Sequence, residues 1–487
     1  MSLISRSLDG ESIRLADREV EELRSQLHGE LLTPDSPGYD QARAVWNGMI
    51  DRRPAAIVRC HTAGDVAHAL RFAAAYRMLV AVRGGGHHIA GNSICEGGLV
   101  IDVAALNSVQ VDRDRGTARV GAGCRLAEID AATQAYGLAT PLGINSTTGV
   151  AGLTLGGGFG WLSRRFGLTA DNLISADVVT TSGELVRAAA DENAELFWGL
   201  RGGGGNFGVA TSFEFRLHDV GPEVLSGLIV HPLEEAPALL RFWRDQFASL
   251  PDEAAVYVVL RQAPPLPFLP AEWHGRGVAV MAAIHSGELR AAERALAPLR
   301  AFGNPIADVI APQPYAAWQQ AFDPLLAPGA RNYWKSHDFD TVSDGLIDIM
   351  IDYTRRAPGP GCEIFAAQMG GAVNRVSPTA TSYADRSACM VMNVHARWQD
   401  PADDAAHVEW ARTLFQAAAP YANGGGYINF ITQDEASRVR DAYGPNWDRL
   451  VALKNRYDPM NLLRMNHNVP PTGRTAGAPE QVIQPVV

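Results

Sequence analysis

With 487 residues the chain is longer than one ordinary hydrophobic core, and at about 100–200 residues per domain it divides into two or three units. Its 42 basic and 53 acidic side chains leave a net charge of −11, which argues against nucleic acid or an anionic membrane surface as a partner. A hydrophobic content of 47% with 20% charged residues describes a globular protein. No stretch approaches the roughly 20 apolar residues of a membrane span and the N-terminus lacks the apolar core of a signal peptide, so a cytoplasmic protein with no membrane partner is expected.

Five cysteines (Cys60, Cys95, Cys124, Cys362 and Cys389) never form a C-x-x-C pair, so neither a disulfide framework nor a zinc site is suggested and no metal is expected. Residues 1–50 read as a helical surface preface: apolar and charged residues alternate at helical spacing over 16–27, and a turn cluster, T-P-D-S-P-G-Y, follows at 33–39. A short strand is expected over 53–59, then a helix over 62–76 with Thr62 as N-cap and Asp65 in its first turn, then a strand over 78–82. This β-α-β order delivers V-R-G-G-G-H-H-I-A-G-N-S at 82–93, a loop whose bare backbone can approach a ligand closely.

Short strand signals at 99–102, 109–112 and 117–121 precede a helix over 126–136 that Gly137 closes. A second glycine-dense region spans 143–161, a hairpin around Ser182 and Gly183 joins 173–180 to 184–188, and a third cluster, R-G-G-G-G-N-F-G-V, precedes a strand at 210–217. Glycine totals 48 residues, about 10% against about 7% on average, and the excess sits in these three loops. Together they point to one extended, phosphate-bearing ligand, which backbone N–H groups can hold without basic side chains. Crowded turns between short strands are the alternative, since no loop matches G-x-G-x-x-G or a P-loop in its usual setting.

Beyond 220–222 glycine thins out, and helices at 234–247 and 289–299 alternate with strands at 255–260 and 277–284, marking a second domain. The run A-C-M-V-M-N-V-H-A-R-W at 388–398 reads as a strand with Asn393, His395 and Arg397 on one face and an apolar opposite face. A helix over 447–457 stops at Asp458-Pro459, and residues 473–487 form a low-pattern tail expected to trail over the surface.

Four motifs in register carry a resemblance: R-G-G-G-H-H at 83–88, G-V-A-G-L-T-L-G-G-G-F-G-W at 149–161, L-R-G-G-G-G-N-F-G-V at 200–209, and Y-I-N-F at 427–430 with Y-D-P-M-N-L-L-R-M-N-H-N-V-P at 457–470. Over about 54–470 the chain resembles the FAD-linked oxidases with a vanillyl-alcohol-oxidase (PCMH-type) flavin fold, in their berberine-bridge-enzyme-like branch. The resemblance implies an α+β fold: a PCMH-type FAD-binding domain of two α+β subdomains at 51–218, a substrate domain with an antiparallel sheet covered by helices at 219–423, and a C-terminal segment at 424–472 that returns to the FAD domain. It implies FAD as cofactor, held by Arg83, Gly84, Gly85, Gly86, His87, His88, Asn145, Thr148, Gly149, Gly152, Leu153, Gly157, Gly158, Gly160, Trp161, Gly208, Val209, Asn429, Asn466 and Asn468. His87 matches the histidine that bonds covalently to the 8α-methyl group. Asn145 stands where many relatives carry a second, cysteine linkage, so a single linkage is expected. Leu153 and Phe430 replace a histidine and a tyrosine common among relatives, and the tyrosine's role as base does not carry over.

In such a site the flavin takes the electrons, while the protein positions a C–H bond and removes a proton from the adjoining O–H or N–H. His395, Tyr427 and Glu363, with Gln368 on the same strand as Glu363, are the candidate bases, histidine being the side chain that titrates near neutral pH. Tyr333, Trp334 and His337 form a cluster placed either to contact substrate or to pack in the core. The expected activity is an oxidase that takes two electrons from an alcohol of a carbohydrate or secondary metabolite and passes them to dioxygen as hydrogen peroxide, in a monomer or homodimer. A dehydrogenase with poor oxygen reactivity, or a non-catalytic flavin carrier, is the alternative that Asn145, Leu153 and Phe430 motivate.

Overall fold

The structure, a computed structural model, describes residues 3–473; the expected surface tail lies, apart from Gly473, outside the described residues. The helix expected over 62–76 forms at Ala63–Ala75, closed at its start by a reciprocal cap. Asp65 N–H donates to the Thr62 hydroxyl at 3.2 Å and Thr62 N–H donates to the Asp65 carboxylate at 2.9 Å. Val66, Ala69, Leu70 and Ala73 are fully buried, packing the helix on a sheet of four strands in the order Glu30–Leu32, Ala56–Arg59, Leu99–Asp102 and Val80–Arg83, the last three parallel. A parallel sheet covered on both faces reads as near-continuous apolar sequence, and Ile57, Val58, Val100 and Ile101 are fully buried.

The described part of the expected helical preface at 1–50, residues 3–50, is not all helical. Asp17–Gln26 and Tyr39–Arg43 are helical, but Leu3–Arg6 and Ser12–Leu15 pair as a hairpin and Glu30–Leu32 is the antiparallel edge of the four-stranded sheet. Leu8, Leu15 and Leu31 enter the core. These strands are four residues or shorter, too short for an alternating pattern to declare itself.

The second subdomain is a five-stranded antiparallel sheet in the order Leu185–Ala189, Leu173–Val179, Val209–Arg216, Thr117–Gly121 and Val109–Asp112. The C-terminal segment packs back onto this half of the molecule through Tyr443, Leu450, Leu453, Leu462, Leu463 and Val469. A buried ion pair fastens it: Lys454 Nζ lies 2.7 Å from Asp458 Oδ2 and donates to Asn206 O at 3.0 Å in the third glycine loop.

From Glu223 onward the chain builds an eight-stranded antiparallel sheet. Its path runs Ala307–Asp308, Glu223–Pro232, Gly277–His285, Ala254–Gln262, Glu363–Gln368, Met390–Trp398 and Arg331–Phe339, with Ala311–Pro314 also pairing to Glu223–Pro232. Helices Ala236–Asp245, Leu289–Arg300, Asp344–Arg355 and Asp404–Ala418 cover one face. Met390, Met392, Val394 and Ala396 point into that helical layer, so strand alternation turns Asn393, His395 and Arg397 to the other side. There Tyr257, Ala282 and Phe365 meet Trp161 of the first domain. The α+β architecture expected from the motifs is the one found.

The two domains also meet at a buried carboxyl. Gln319, at the end of helix Tyr315–Gln319, donates from Nε2 to Asp130 Oδ2 at 3.1 Å and to Gly143 O at 3.3 Å. Burial pushes the Asp130 carboxyl up to about 7, with the Gln319 bond opposing. In the unfolded chain it titrates near 3.9, so between those values ionisation is available only to the unfolded state. The native fold therefore loses stability as pH rises from about 4 to 7, by up to roughly 4 kcal/mol, and no more above that. Asp130→Asn keeps an acceptor for Gln319 and abolishes the ionisation. Urea unfolding at pH 4 and at neutral pH should show the variant gaining on the wild-type protein across that window; parallel stabilities would refute the assignment.

Candidate active site

The strand Val80–Arg83 runs into the first glycine loop, which touches the second loop backbone to backbone. A Cβ on Gly85 would sit 2.4 Å from Gly149 N, and one on Gly149 would sit 2.4 Å from Gly85 N. His87 projects beyond this contact. Its Nε2 is 3.1 Å from Thr147 Oγ1 and its ring stacks on Trp46 with centroids 4.5 Å apart. Asn145 Oδ1 accepts from Thr147 N–H at 3.0 Å and from the Thr147 hydroxyl at 2.7 Å. The backbone donor fixes that Asn145 atom as oxygen, and the Thr147 proton is committed to it. The Thr147 oxygen therefore accepts from His87 Nε2–H, which leaves Nδ1 with the lone pair. Burial, reinforced by Arg125 and Arg397, pushes His87 down to about 3, so the ring is neutral.

A cavity runs from this loop to the large sheet. Of the residues expected to hold FAD, Gly84, Gly85, Gly86, His87, His88, Asn145, Thr148, Gly149, Gly152, Leu153, Gly208, Val209, Asn429 and Asn466 line it. Arg83, Gly157, Gly158, Gly160, Trp161 and Asn468 are not among its lining residues. Arg83 turns back to the Ala42 carbonyl. Gly157, Gly158 and Gly160 have no room for a Cβ against Tyr383, Thr169 and Leu142, so they are glycines of packing. Trp161 stacks on Tyr257 below the sheet, centroids 4.5 Å apart.

The lining suits FAD. Gly152 and Gly205 have nothing within 4 Å of where a Cβ would stand, presenting bare backbone. Asn145 Nδ2, Ser93 Oγ, Asn466 Oδ1 and His467 Nε2 are buried without a protein partner, a mixed set of donors and acceptors of the kind a dinucleotide can satisfy. His88 and His467 face each other at 5.0 Å, and burial holds His467 at about 4 and His88 well below its ordinary value.

On the sheet side, cross-strand register sets Glu363 opposite His395. Glu363 Oε1 is 2.9 Å from His395 Nδ1, and Oε2 accepts from Arg261 at 2.6 Å. Burial raises the Glu363 carboxyl, but Arg261, the His395 bond and Arg397 outweigh it and hold the group down at about 2. The ionised carboxylate thus accepts Nδ1–H, and His395 Nε2 is buried and without a protein partner in a ring that lines the cavity. Trp334 stacks on that ring at 4.4 Å.

The other candidates separate cleanly. Tyr427 lines the cavity, but its hydroxyl accepts from Gly158 N–H at 3.2 Å and Asn429 Nδ2 at 2.9 Å, and burial pushes it up to about 12, which makes it a clamp. Glu363 stands behind His395. Gln368 faces the opposite side of the sheet and accepts from Val256 N–H. Alternation also splits the expected aromatic cluster. Trp334 lines the cavity, while Tyr333 bonds Asp434 and Arg412 and His337 stacks on Phe415 at 4.0 Å beneath helix Asp404–Ala418.

A cavity of bare-backbone loops, roofed by an antiparallel sheet that carries a buried histidine–glutamate pair, is a site of the kind a flavin-dependent oxidoreductase uses. Residues 54–189 match the FAD binding domain family and residues 426–470 match the berberine and berberine like family. The chain is 31% identical to (R)-6-hydroxynicotine oxidase of Paenarthrobacter nicotinovorans over 471 residues, 92% of this chain and 98% of that protein. The crystal structure of 6-hydroxy-D-nicotine oxidase from Arthrobacter nicotinovorans matches with a TM-score of 0.82 at 29% identity, covering 91% of this chain and 98% of the other. Berberine bridge enzyme from Eschscholzia californica shares the fold, with a TM-score of 0.82 at 20% identity over 94% of this chain and 100% of the other. The chain belongs to the berberine-bridge-enzyme-like family of FAD-linked oxidoreductases.

Sequence reasoning missed Trp46 and Asn47, which lie in the supposed preface. Asn47 is fully enclosed between the domains: Nδ2 donates to Ile89 O at 3.0 Å and Asn332 O at 2.9 Å, and Oδ1 accepts from Asn332 N–H at 3.0 Å. Trp46 Nε1 donates to Leu326 O at 2.8 Å. The only hint in the sequence is a tryptophan beside a turn-forming N-G pair in a charged stretch. Asn47→Ala strands buried backbone groups on both domains, at about 1–3 kcal/mol each. Thermal melts should show a clear loss of stability, and an unchanged midpoint would deny the contact this role.

Proposed function

We propose that the protein is an FAD-dependent oxidase that takes two electrons from the carbinol of a small-molecule alcohol and passes them to dioxygen as hydrogen peroxide, with His395 as the base. The observation that carries this reading is the buried, unpartnered Nε2 of His395 in the cavity wall, with Nδ1 held by ionised Glu363. Bound FAD supplies the two-electron acceptor and its reoxidation by dioxygen. His395 Nε2 takes the proton of the substrate hydroxyl, and the Glu363 carboxylate, braced by Arg261, stabilises the imidazolium that results. Trp334, stacked on the imidazole, fixes its plane. The name oxidase carried by the relative at 31% identity supports dioxygen as the acceptor.

His395→Gln should lower turnover about 100-fold or more while leaving flavin content unchanged. Oxygen uptake and peroxide release over a panel of alcohols measure this. A dithionite-reduced enzyme that fails to reoxidise in air sinks the oxidase reading and leaves a dehydrogenase; an undiminished His395→Gln enzyme removes the base.

The same reading takes His87 as a single covalent anchor to the 8α carbon of the flavin, attached through Nδ1. The Thr147–Asn145 relay supports it by occupying Nε2–H, and Asn145 has no sulfur for a second linkage. On a denaturing gel in acid, the wild-type band should fluoresce as an 8α-substituted flavin. His88→Ala should keep the band, His87→Ala should lose it, and Thr147→Ala should acquire it more slowly. Fluorescence that survives His87→Ala would move the anchor elsewhere.

A further inference from the structure

Beside His395 lies a second chamber, on the same face of the large sheet but away from the glycine loops. Its floor is Leu228, Val259 and Val280 from three neighbouring strands, and residues 264–269 close over it with Leu266 and Phe268, facing Trp161. The two spaces share Ile144, Leu326, Phe365 and His395 along their border.

Its charged lining residues are confined to one corner and are committed elsewhere. Arg261 donates to Glu363 at 2.6 Å, to Pro360 O at 3.2 Å and to Gln262 O at 3.2 Å, and Glu363 spends its other oxygen on His395. Among the described lining side chains, the buried polar atoms without a protein partner are His395 Nε2 and the indole nitrogen of Trp161. A sugar ring in this chamber would give up water at several hydroxyls and find almost nothing to replace it. An alkyl or aryl group would give up only apolar hydration.

We propose that this chamber receives the apolar body of the substrate, so that the substrate is an amphiphilic alcohol: one oxidisable carbinol at His395 Nε2 and a hydrocarbon or aryl remainder under Leu266 and Phe268. This rests on the oxidase reading only for which end reacts; the choice of apolar over saccharide ligands rests on the chamber itself.

The test is calorimetric titration of the dithionite-reduced, anaerobic holoenzyme, whose flavin can accept no electrons, with 4-alkylbenzyl alcohols from methyl to hexyl, and with cellobiose. Affinity is expected to rise about fourfold per methylene until the chamber is full, and cellobiose to give no binding heat. Leu228→Trp should flatten the series by filling the floor. Phe268→Ala, on the covering loop, should carry the rise to longer chains, and it serves as the second variant if Leu228→Trp does not fold. A flat wild-type series, or cellobiose binding more tightly than the alkyl alcohols, overturns the proposal. A rising series without oxygen uptake keeps the chamber and sinks the oxidase reading; oxygen uptake with a flat series does the reverse.

Discussion

The contact between Gly85 and Gly149 is the constraint on which the rest of the site depends. Each glycine fills the place where the other would carry a side chain, so the parallel and antiparallel halves of the first domain touch through bare backbone. Everything that follows in each chain inherits its position from that contact: His87 two residues after Gly85, and the helix Val150–Leu155, with the open glycine at 152, directly after Gly149. Any side chain at either position would push the His87 loop away from Asn145 and Thr147, which come from the other half.

The second domain is held over this floor by rings as well as by hydrogen bonds. His87 stacks on Trp46, Trp46 meets Trp334 edge-on at 5.4 Å, and Trp334 stacks on His395. One tryptophan comes from the N-terminal segment and the other from the large sheet, so His87 and His395 are spaced by two rigid side chains. Asn47 and the Trp46 indole, bonded to Ile89, Asn332 and Leu326, keep that spacing from shearing. The N-terminal segment is thus the piece that registers one domain against the other.

Which parts of this were legible in the sequence follows from the range of the signals. The cap at Thr62, the hairpin at Ser182–Gly183 and the face shared by Asn393, His395 and Arg397 are local patterns, and the elements at Ala63–Ala75, Leu173–Val179, Leu185–Ala189 and Met390–Trp398 answer to them. The glycine motifs marked the right loops but not their division of labour. Glycine serves equally where a ligand approaches, as at Gly152, and where protein packs, as at Gly157 and Gly158, and the sequence looks the same for both. Period-two alternation, applied strictly, separates Trp334 from Tyr333 and His337, and Glu363 from Gln368. Trp46 and Asn47 were out of reach because their partners lie more than 40 residues away and no local pattern encodes them.

Two histidines in this site are prepared by one device with different partners. In each, an oxygen accepts a hydrogen bond from one ring nitrogen: Thr147 does this at His87, and Glu363 at His395. The difference is charge. Thr147 and Asn145 are neutral, and Arg125 and Arg397 add to burial in disfavouring a cation at His87. Glu363 is an ionised carboxylate that Arg261 keeps in place, and a negative partner favours a cation on the ring it touches. Exchanging the two partners would reverse both preferences: a carboxylate behind His87 would favour its protonated form, and a neutral relay behind His395 would leave an imidazolium there without a counter-charge in an apolar wall. The two rings therefore differ through the groups behind them, since as residues they are the same.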